Sequence, residues 1–247
     1  GIGADAAIAE ARPRAGLIAG ALTAAVDLAP DGELHWRSWG GIGLAAVQGP
    51  VEPLFAQLMT SFGASGLRAR RFPDAAAMRW SKLVGNLVAN SLSAILDLDA
   101  AAVYDDRGLY RLELRQLREA LAVMRCLGLR PVRLPGANVA ALALLLALPD
   151  AITRPILRRV VAGARGGKSP SLRRHVHERG GPSEAPWLNG AVVAAGARCG
   201  VPTPVNARLA ELVEAVASDP ERRAWFRGRA DRLLEAMTAG EGVGPAR

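Results

Sequence analysis

Short apolar segments separated by turn signals characterise the first seventy or so residues of the 247-residue chain. Residues 16–28 and 33–47 flank the turn sequence APDG and are predicted to form a pair of strands. An amphipathic helix is predicted at 51–65, and the segment LRARRF at 67–72 is predicted to be another strand. This mixture indicates an α/β architecture for the first part of the chain.

The pattern changes after Pro73, where apolar residues begin to recur with the period of a helix. Glycine or proline signals separate one such segment from the next. The predicted helices cover residues 79–96, 109–127, 137–148, 150–163, 184–198, 204–217 and 219–239. The sequence therefore predicts an α/β domain at residues 1–73, followed by an all-α domain at residues 74–247.

One of these segments, RWSKLVGNLVANSLSAIL at 79–96, carries three polar residues at a spacing of four: Lys82, Asn86 and Asn90. In a helix this spacing places neighbours about 6 Å apart in one line along one face. The two asparagines could cap neighbouring helices while Lys82 extends to solvent. Asparagine is unfavourable in a helix interior, however, so a cleft lined by this face would explain all three residues.

The basic composition of the chain does not by itself indicate a nucleic-acid partner. The net charge is +8 at pH 7 and the pI is about 10.8, as in many nucleic-acid-binding proteins. The arginines are scattered, however, only two tyrosines and four phenylalanines are available for stacking, and no recognition motif is present. We therefore expect no nucleic-acid partner, and a basic helical DNA-binding domain is the third hypothesis for this chain.

The longest apolar run, VAALALLLALP at 139–149, is well short of the roughly 20 residues that a membrane-spanning helix needs. It is predicted to be a buried helix. The N-terminus lacks the pattern of a signal peptide, and the two cysteines, Cys126 and Cys199, have no metal-binding or redox spacing. These features predict a cytoplasmic protein without a membrane partner.

Three glycine-containing segments resemble nucleotide-binding motifs, but each lacks the required context. GIGADA at 1–6 and GIGLAA at 41–46 match GxGxxA, yet neither lies between a first strand and its helix, so both are predicted to be turns. AGARGGKS at 162–169 has an alanine where a P-loop needs its first glycine. His175 and His177 lie among cationic residues, so we expect a solvated loop there and no metal.

Two segments together resemble a known family. WSKLVGNLVANSLSAIL at 80–96 is similar to the W-x-K-x-x-x-N-x-x-x-N helix of the ketopantoate reductases, which reduce 2-dehydropantoate to pantoate with NADPH on the way to coenzyme A. Residues 168–209 resemble that family's later motifs P-S-L, S-E, W-L-N-G and G-V-x-T-P-x-N in the same order and spacing. The opening G-x-G also fits a turn of that family, so the resemblance extends over almost the whole chain.

The resemblance implies roles for five residues. Lys82 matches the family's catalytic lysine, and Glu184 matches the acidic residue that partners it and contacts the substrate hydroxyl. Asn86 and Asn90 match residues that hold the substrate, and Ser171 matches a serine that binds the substrate carboxylate. These residue types suit the reduction of a ketone. An ammonium group can protonate the ketone oxygen, and a nearby carboxylate can hold that ammonium group in place. Amide groups can bind the hydroxyl and carboxylate oxygens of the substrate.

The region around Glu184 departs from the family pattern. Relatives carry an aspartate at the place of His175 and a Val-Asp pair at the place of Ala185 and Pro186, and these changes could alter the substrate, the domain closure or the local packing. Ser183 is predicted to cap a helix that begins at residue 184, with Pro186 tolerated in its first turn.

The resemblance also implies that the first strand and glycine-rich turn of the cofactor-binding domain would lie before Gly1. Residues 1–73 would then be the C-terminal remnant of a Rossmann-like NADP-binding domain, without assignable cofactor-binding residues. Residues 74–247 would be the helical substrate-binding and dimerisation domain.

Two hypotheses of different classes follow. In the first, the chain is the substrate half and part of the Rossmann half of an NADPH-dependent reductase of ketopantoate or another 2-keto acid, with homodimerisation left open. In the second, it is a non-catalytic fragment whose helical domain serves as a dimerisation or small-ligand-binding module. An upstream reading frame encoding a strand and GxGxxG would favour the first, and its absence the second. Salt-dependent DNA binding would favour the third hypothesis.

Overall fold

The computed structural model describes residues 2–29, 31–38, 40–164, 170–179 and 183–238. Its helices and strands, in chain order, are α1 (Ala4–Ala11), β1 (Leu17–Leu22), β2 (Ala25–Leu28), β3 (Leu34–Ser38), β4 (Gly41–Gln48), α2 (Glu52–Ala64), β5 (Arg68–Phe72), α3 (Ala75–Leu87), α4 (Asn90–Leu96), α5 (Ala100–Asp105), α6 (Arg107–Cys126), β6 (Arg133–Leu134), β7 (Ala137–Asn138), α7 (Val139–Leu145), α8 (Asp150–Ala164), α9 (Ser171–Arg174), α10 (Asn189–Cys199), α11 (Pro204–Ser218), α12 (Pro220–Phe226) and α13 (Ala230–Thr238). A π-helical turn at His175–Arg179 follows α9, and a 3₁₀ turn at Ala185–Trp187 precedes α10. The predicted fold class is confirmed, because an α/β part is followed by a helical part. The two-residue strands β6 and β7 are an exception, since they lie in the part that was predicted to be all-helical.

The chain divides into two compact units. The first unit comprises Gly1–Gly85 with Gly128–Leu144, and the second comprises Asn86–Leu127 with Leu145–Arg247. The first unit includes residues 128–144 because Leu134 lies in the same buried cluster as the residues of the sheet. These units do not coincide with the predicted domains 1–73 and 74–247, whose roles stay a prediction.

A three-stranded sheet organises the first unit. Its strand order is β1–β4–β5, with β4 antiparallel to β1 and parallel to β5. β2 and β3 form a separate antiparallel pair, so the predicted pair of long strands is confirmed but divided into two short pairs. The division occurs at Thr23, whose hydroxyl accepts a hydrogen bond from the Gly41 N–H at 3.1 Å and donates to the Pro135 carbonyl.

The segment GIGLAA at 41–46 lies inside β4 and is not a turn, so that prediction was wrong. Its glycines serve close packing instead. A Cβ atom on Gly43 would lie 2.8 Å from Met78 Sδ and 2.9 Å from the ring of Phe72. Both of those side chains belong to the buried cluster of the first unit. In the other segment, GIGADA, Ile2 and Gly3 form a turn with a φ of 86° at Gly3, whereas residues 4–6 already belong to α1.

Replacing Gly43 with alanine should destabilise the first unit by about 2 kcal/mol, because the added methyl group forces Met78 and Phe72 to move within a packed core. Gly63→Ala is the matched control, since nothing lies within 4 Å of a Cβ at this position in α2. Alanine should stabilise that helix by roughly 0.5–1 kcal/mol. Urea unfolding of both variants measures the two free-energy changes, and equal midpoints would contradict the packing argument.

α6 is the longest helix among the described residues and buries one face in the second unit. Its buried residues include those whose spacing predicted this helix: Leu109, Leu112, Leu117, Leu121 and Met124. Two other predicted helices are interrupted. Residues 79–96 form α3 and α4 with a break at Val88 and Ala89, and residues 219–238 form α12 and α13. At the second break Gly228 has a left-handed φ of 67°, which ends α12, and its N–H donates to the Leu96 carbonyl at 2.8 Å.

The apolar run at 139–149 is less buried than predicted. Within it Val139 and Leu146 are buried, whereas Leu144 is 75% exposed and Leu148 is 43% exposed, because the run forms only the short helix α7 and a turn. In the part of the chain that the structure describes, no helix combines the length and apolar character required to cross a membrane. The two cysteines, distant in sequence, meet at the ends of α6 and α10, where the Cys126 thiol donates to the Cys199 carbonyl at 3.1 Å.

Candidate functional site

Lys82 and Asn86 lie one turn apart on α3, as predicted. The side chain of Lys82 is half-buried and that of Asn86 is exposed, while Ser81 and Leu83 beside Lys82 are buried. The Ser81 hydroxyl accepts a hydrogen bond from the Val132 N–H at 2.8 Å, which fixes this turn of the helix.

Asn90 does not continue the line of Lys82 and Asn86, because the helix breaks before it. Asn90 is the first residue of α4 and is 2% exposed. Its Oδ1 accepts a hydrogen bond from the Leu172 N–H at 3.0 Å, and its Nδ2 donates to Ser171 Oγ at 3.3 Å. The structure therefore brings together two of the predicted site residues, Asn90 and Ser171. The alternative that both asparagines cap neighbouring helices fits Asn90, which accepts from the first turn of α9, but not the exposed Asn86.

A charge cluster at Asp97 attaches α9 to the other end of α4. The Asp97 carboxylate lies 2.8 Å from Arg173 Nε, 2.8 Å from Arg227 Nη2 and 3.9 Å from His177 Nδ1. Burial alone would raise the pKa of Asp97, but the hydrogen bond from Arg173 and the positive charges around it hold this pKa below its ordinary value. The segment that presents Ser171 is thus held at two points, through Asn90 and through Asp97.

The lowered pKa of Asp97 makes a pH-dependent contribution to stability. The contribution is fully present above the unfolded-state pKa of about 3.9, and it is lost as the pH falls through the lower pKa of the folded state. Asp97→Asn is a suitable variant, because asparagine has the same size and tolerates the left-handed φ of 55° at this position. We expect wild type to be more stable than Asp97→Asn at pH 7, and the difference to shrink below about pH 4. Thermal unfolding of both proteins over this pH range measures the difference in stability. A difference that does not change with pH would contradict a lowered pKa of Asp97.

Glu184 is exposed and stands directly before the 3₁₀ turn. The predicted helix start at this residue is wrong, because Leu188 has non-helical backbone angles and α10 begins only at Asn189. Ser183 is nevertheless buried and accepts a hydrogen bond from the Ala185 N–H at 3.2 Å, as a capping residue would. Pro186 lies inside the 3₁₀ turn. This turn fixes the backbone at Glu184 and leaves the carboxylate accessible.

A buried polar network in the second unit was missed by the sequence analysis. Asn189 accepts from Ser91 Oγ at 2.6 Å and donates to Gln116 Oε1 and Asn206 Oδ1, both at 3.0 Å. Asn206 in turn donates to Glu119 Oε2 at 2.7 Å. Asn189 and Asn206 are the asparagines of the W-L-N-G and T-P-x-N motifs. The network ties α4 to α6, α10 and α11.

A signal for this network was present in the sequence. Glu113 and Gln116 interrupt the apolar face of α6 and are both fully buried. Polar residues within an apolar helical stripe need hydrogen-bond partners in the core. Their positions could therefore have identified α6 as the helix that supports Asn189 and Asn206.

The histidines do not lie in a simple solvated loop. His175 and His177 belong to the π-helical turn, and His177 Nε2 lies 2.9 Å from the Ala94 carbonyl oxygen because this turn packs on α4. Among the described residues, no three side chains of His, Cys, Asp or Glu are placed to hold a metal ion. Most of the segment AGARGGKS, at 165–169, lies outside the described residues.

The segment GIGLAA does not fit a dinucleotide site. It is strand interior, where the space above Gly43 is filled by Met78 and Phe72. A dinucleotide site needs a glycine turn between a strand and its helix. GIGADA leads into α1 through Gly3, and no cofactor role is assigned to it.

Comparison with known families and sequences gives a consistent result. Residues 74–217 match the family model described as ketopantoate reductase PanE/ApbA C terminal. A 2-dehydropantoate 2-reductase of Pyrobaculum aerophilum is 30% identical over 150 residues, which cover 61% of this chain and 47% of that protein. The chain thus spans about half the length of the curated relative it matches.

Solved structures share the fold at lower sequence identity. The 2-dehydropantoate 2-reductase of Geobacter metallireducens GS-15 aligns with a TM-score of 0.66 and 24% identity, over 87% of this chain and 65% of that one. The complex of D-mandelate dehydrogenase with NADH aligns with a TM-score of 0.72 and 20% identity, over 88% of this chain and 68% of that one. The similarity to these structures is a similarity of fold.

Proposed function

The chain belongs to the ketopantoate reductase PanE/ApbA C-terminal family, because residues 74–217 match the model of that family. We propose that the chain provides the substrate-binding part of an NADPH-dependent reductase of 2-keto acids, with ketopantoate as substrate. The observation that supports this most directly is the contact of Asn90 with Ser171, two residues to which the family resemblance gives substrate-binding roles. The family is one of oxidoreductases, as the curated relative also indicates.

In the proposed reaction the chain supplies a proton and binds the substrate. Reduction of a ketone places negative charge on its oxygen, and the Lys82 ammonium group donates a proton to this oxygen. The Glu184 carboxylate accepts hydrogen bonds from the substrate hydroxyl and favours the charged form of Lys82. The amides of Asn86 and Asn90 and the hydroxyl of Ser171 bind the substrate's hydroxyl and carboxylate oxygens.

The choice of lysine at position 82 supports the acid role. Only two of the 31 basic Lys and Arg residues are lysines, namely Lys82 and Lys168. An arginine side chain keeps its proton at any pH that proteins tolerate, whereas the pKa of a lysine can be lowered by its surroundings. A chain that otherwise uses arginine for positive charge thus has lysine where proton transfer is proposed.

A different 2-keto acid is the second candidate substrate. Two observations favour it: the departures at His175, Ala185 and Pro186 from the family pattern, and the D-mandelate dehydrogenase neighbour with a TM-score of 0.72. A phenyl-substituted 2-keto acid represents this class, because it is the oxidised form of mandelate. NADPH is the proposed cofactor, and NADH is the alternative suggested by the cofactor in that neighbour.

The test is an activity assay in which each of two cofactors is combined with each of several 2-keto acids. Loss of NADPH or NADH absorbance is measured with ketopantoate, a phenyl-substituted 2-keto acid and a straight-chain 2-keto acid, and binding of each acid is measured by calorimetry. We expect ketopantoate with NADPH to give the highest kcat/KM. Turnover only with another acid would support the second candidate. Neither turnover nor binding with any acid would contradict the proposal and favour a non-catalytic module.

A further inference from the structure

The break between α3 and α4 creates backbone groups that need partners from outside these helices. Leu87 is the last residue of α3, and Ala89 directly precedes α4. Ala89 has a φ of 54°, in the left-handed region that disfavours residues with a side chain. Both residues are fully buried, so water cannot supply the hydrogen bonds. The break therefore persists only where the surrounding structure holds it.

α6 supplies partners for both backbone groups. The Glu113 carboxyl group accepts a hydrogen bond from the Ala89 N–H at 2.7 Å, and Gln116 Nε2 donates to the Leu87 carbonyl at 3.3 Å. Gln116 Nε2 also donates to Glu113 Oε2 at 2.7 Å, so the two side chains are connected on one face of α6. These two fully buried side chains hold the break on both sides.

The break determines the direction of Asn90, the residue that follows Ala89. An uninterrupted helix would keep Asn90 in line with Asn86, four residues before it. After the break, the Asn90 amide instead contacts Ser171 and the Leu172 N–H. We propose that Glu113 and Gln116 are positioning residues, which direct the Asn90 amide towards α9 and thereby fix its geometry for the substrate. The connection to the substrate rests on the proposed function.

Glu113→Gln tests the proposal without changing the size of the side chain. Glutamine presents an NH₂ group to either the Ala89 N–H or Gln116 Nε2, so two donors face each other. The Leu172 amide, which donates to Asn90, should exchange its hydrogen roughly tenfold faster, a ratio that corresponds to the loss of about one hydrogen bond. The KM for the keto acid should rise by roughly the same factor, with a smaller change in kcat.

Two further variants separate positioning from general destabilisation. Thr153→Val is the matched control, because it removes the buried hydrogen bond between Thr153 and Tyr110 in the same unit and leaves both helices of the break intact. Glu113→Gln combined with Gln116→Glu exchanges donor and acceptor between the two positions. This double variant restores an acceptor for the Ala89 N–H but places a carboxylate against the Leu87 carbonyl, so it re-forms one of the two contacts at the break. The Leu172 protection should therefore recover in part, and the KM should return part of the way to the wild-type value. Exchange rates are compared after correction for global stability, measured by urea unfolding.

The outcomes separate this proposal from the proposed function. If Leu172 in Glu113→Gln exchanges no faster than in Thr153→Val, the positioning role is overturned. Faster exchange with an unchanged KM in an active protein also overturns it, because Asn90 then does not act on the substrate. If the wild-type chain neither binds nor turns over any keto acid, the proposed function fails, and the exchange result alone decides whether Glu113 and Gln116 position Asn90.

Discussion

Lys82→Ala should lower kcat for keto-acid reduction by roughly 10²–10⁴-fold, the usual contribution of a positioned general acid. The half-buried side chain has no substitute on its own helix. The neighbours three and four positions away are Met78, Arg79, Gly85 and Asn86, none of which releases a proton at neutral pH. KM should change less than kcat, because the proton is transferred in the transition state. Steady-state kinetics with NADPH and ketopantoate measures both constants.

Lys82→Arg distinguishes proton transfer from simple charge. Arginine preserves the positive charge but does not release a proton at neutral pH, so it should not restore kcat. Lys168→Ala removes the chain's other lysine and serves as the matched control. An arginine variant with kcat near that of wild type would contradict the acid role and leave Lys82 as an electrostatic binding residue. Equal losses in the two alanine variants would contradict its specific role.

The helix around Lys82 could be predicted because the information is local. The apolar residues of 79–87 recur with the helical period, and α3 forms there. The break at Ala89 could not be predicted in the same way, since no glycine or proline marks it. It depends on Glu113, which is 24 residues further along the chain. The position of Asn90 thus requires a tertiary contact that periodicity does not contain.

The same distinction explains the other differences between sequence and structure. GIGLAA is predicted to be a turn because it does not lie between a first strand and its helix, but it is part of β4, where Met78 and Phe72 leave no room for a Cβ on Gly43. The predicted helix at 219–239 is divided at Gly228, which has a left-handed φ of 67° and donates to Leu96, more than 130 residues earlier in the chain. Local patterns predicted the type of the long helices and strands, whereas tertiary packing and distant hydrogen bonds influence where some of them end.

Asn189→Ala should produce the largest loss of stability among single variants of the asparagine motifs. Asn189 is fully buried and makes three side-chain hydrogen bonds, to Ser91, Gln116 and Asn206. Alanine leaves three buried polar groups without this partner, and the expected loss is roughly 3 kcal/mol, because each unsatisfied group costs about 1–3 kcal/mol and the remaining groups can rearrange in part.

The matched control is Asn86→Ala, which removes an exposed asparagine and should change the free energy of unfolding by no more than about 0.5 kcal/mol. For a chain of this size the difference corresponds to a melting temperature about 6–12 °C lower in Asn189→Ala. Thermal and urea unfolding measure it. If the two variants unfold within about 1 kcal/mol of each other, the network does not hold α4 against α10. The asparagine of W-L-N-G would then need a role other than supporting the helix that carries Asn90.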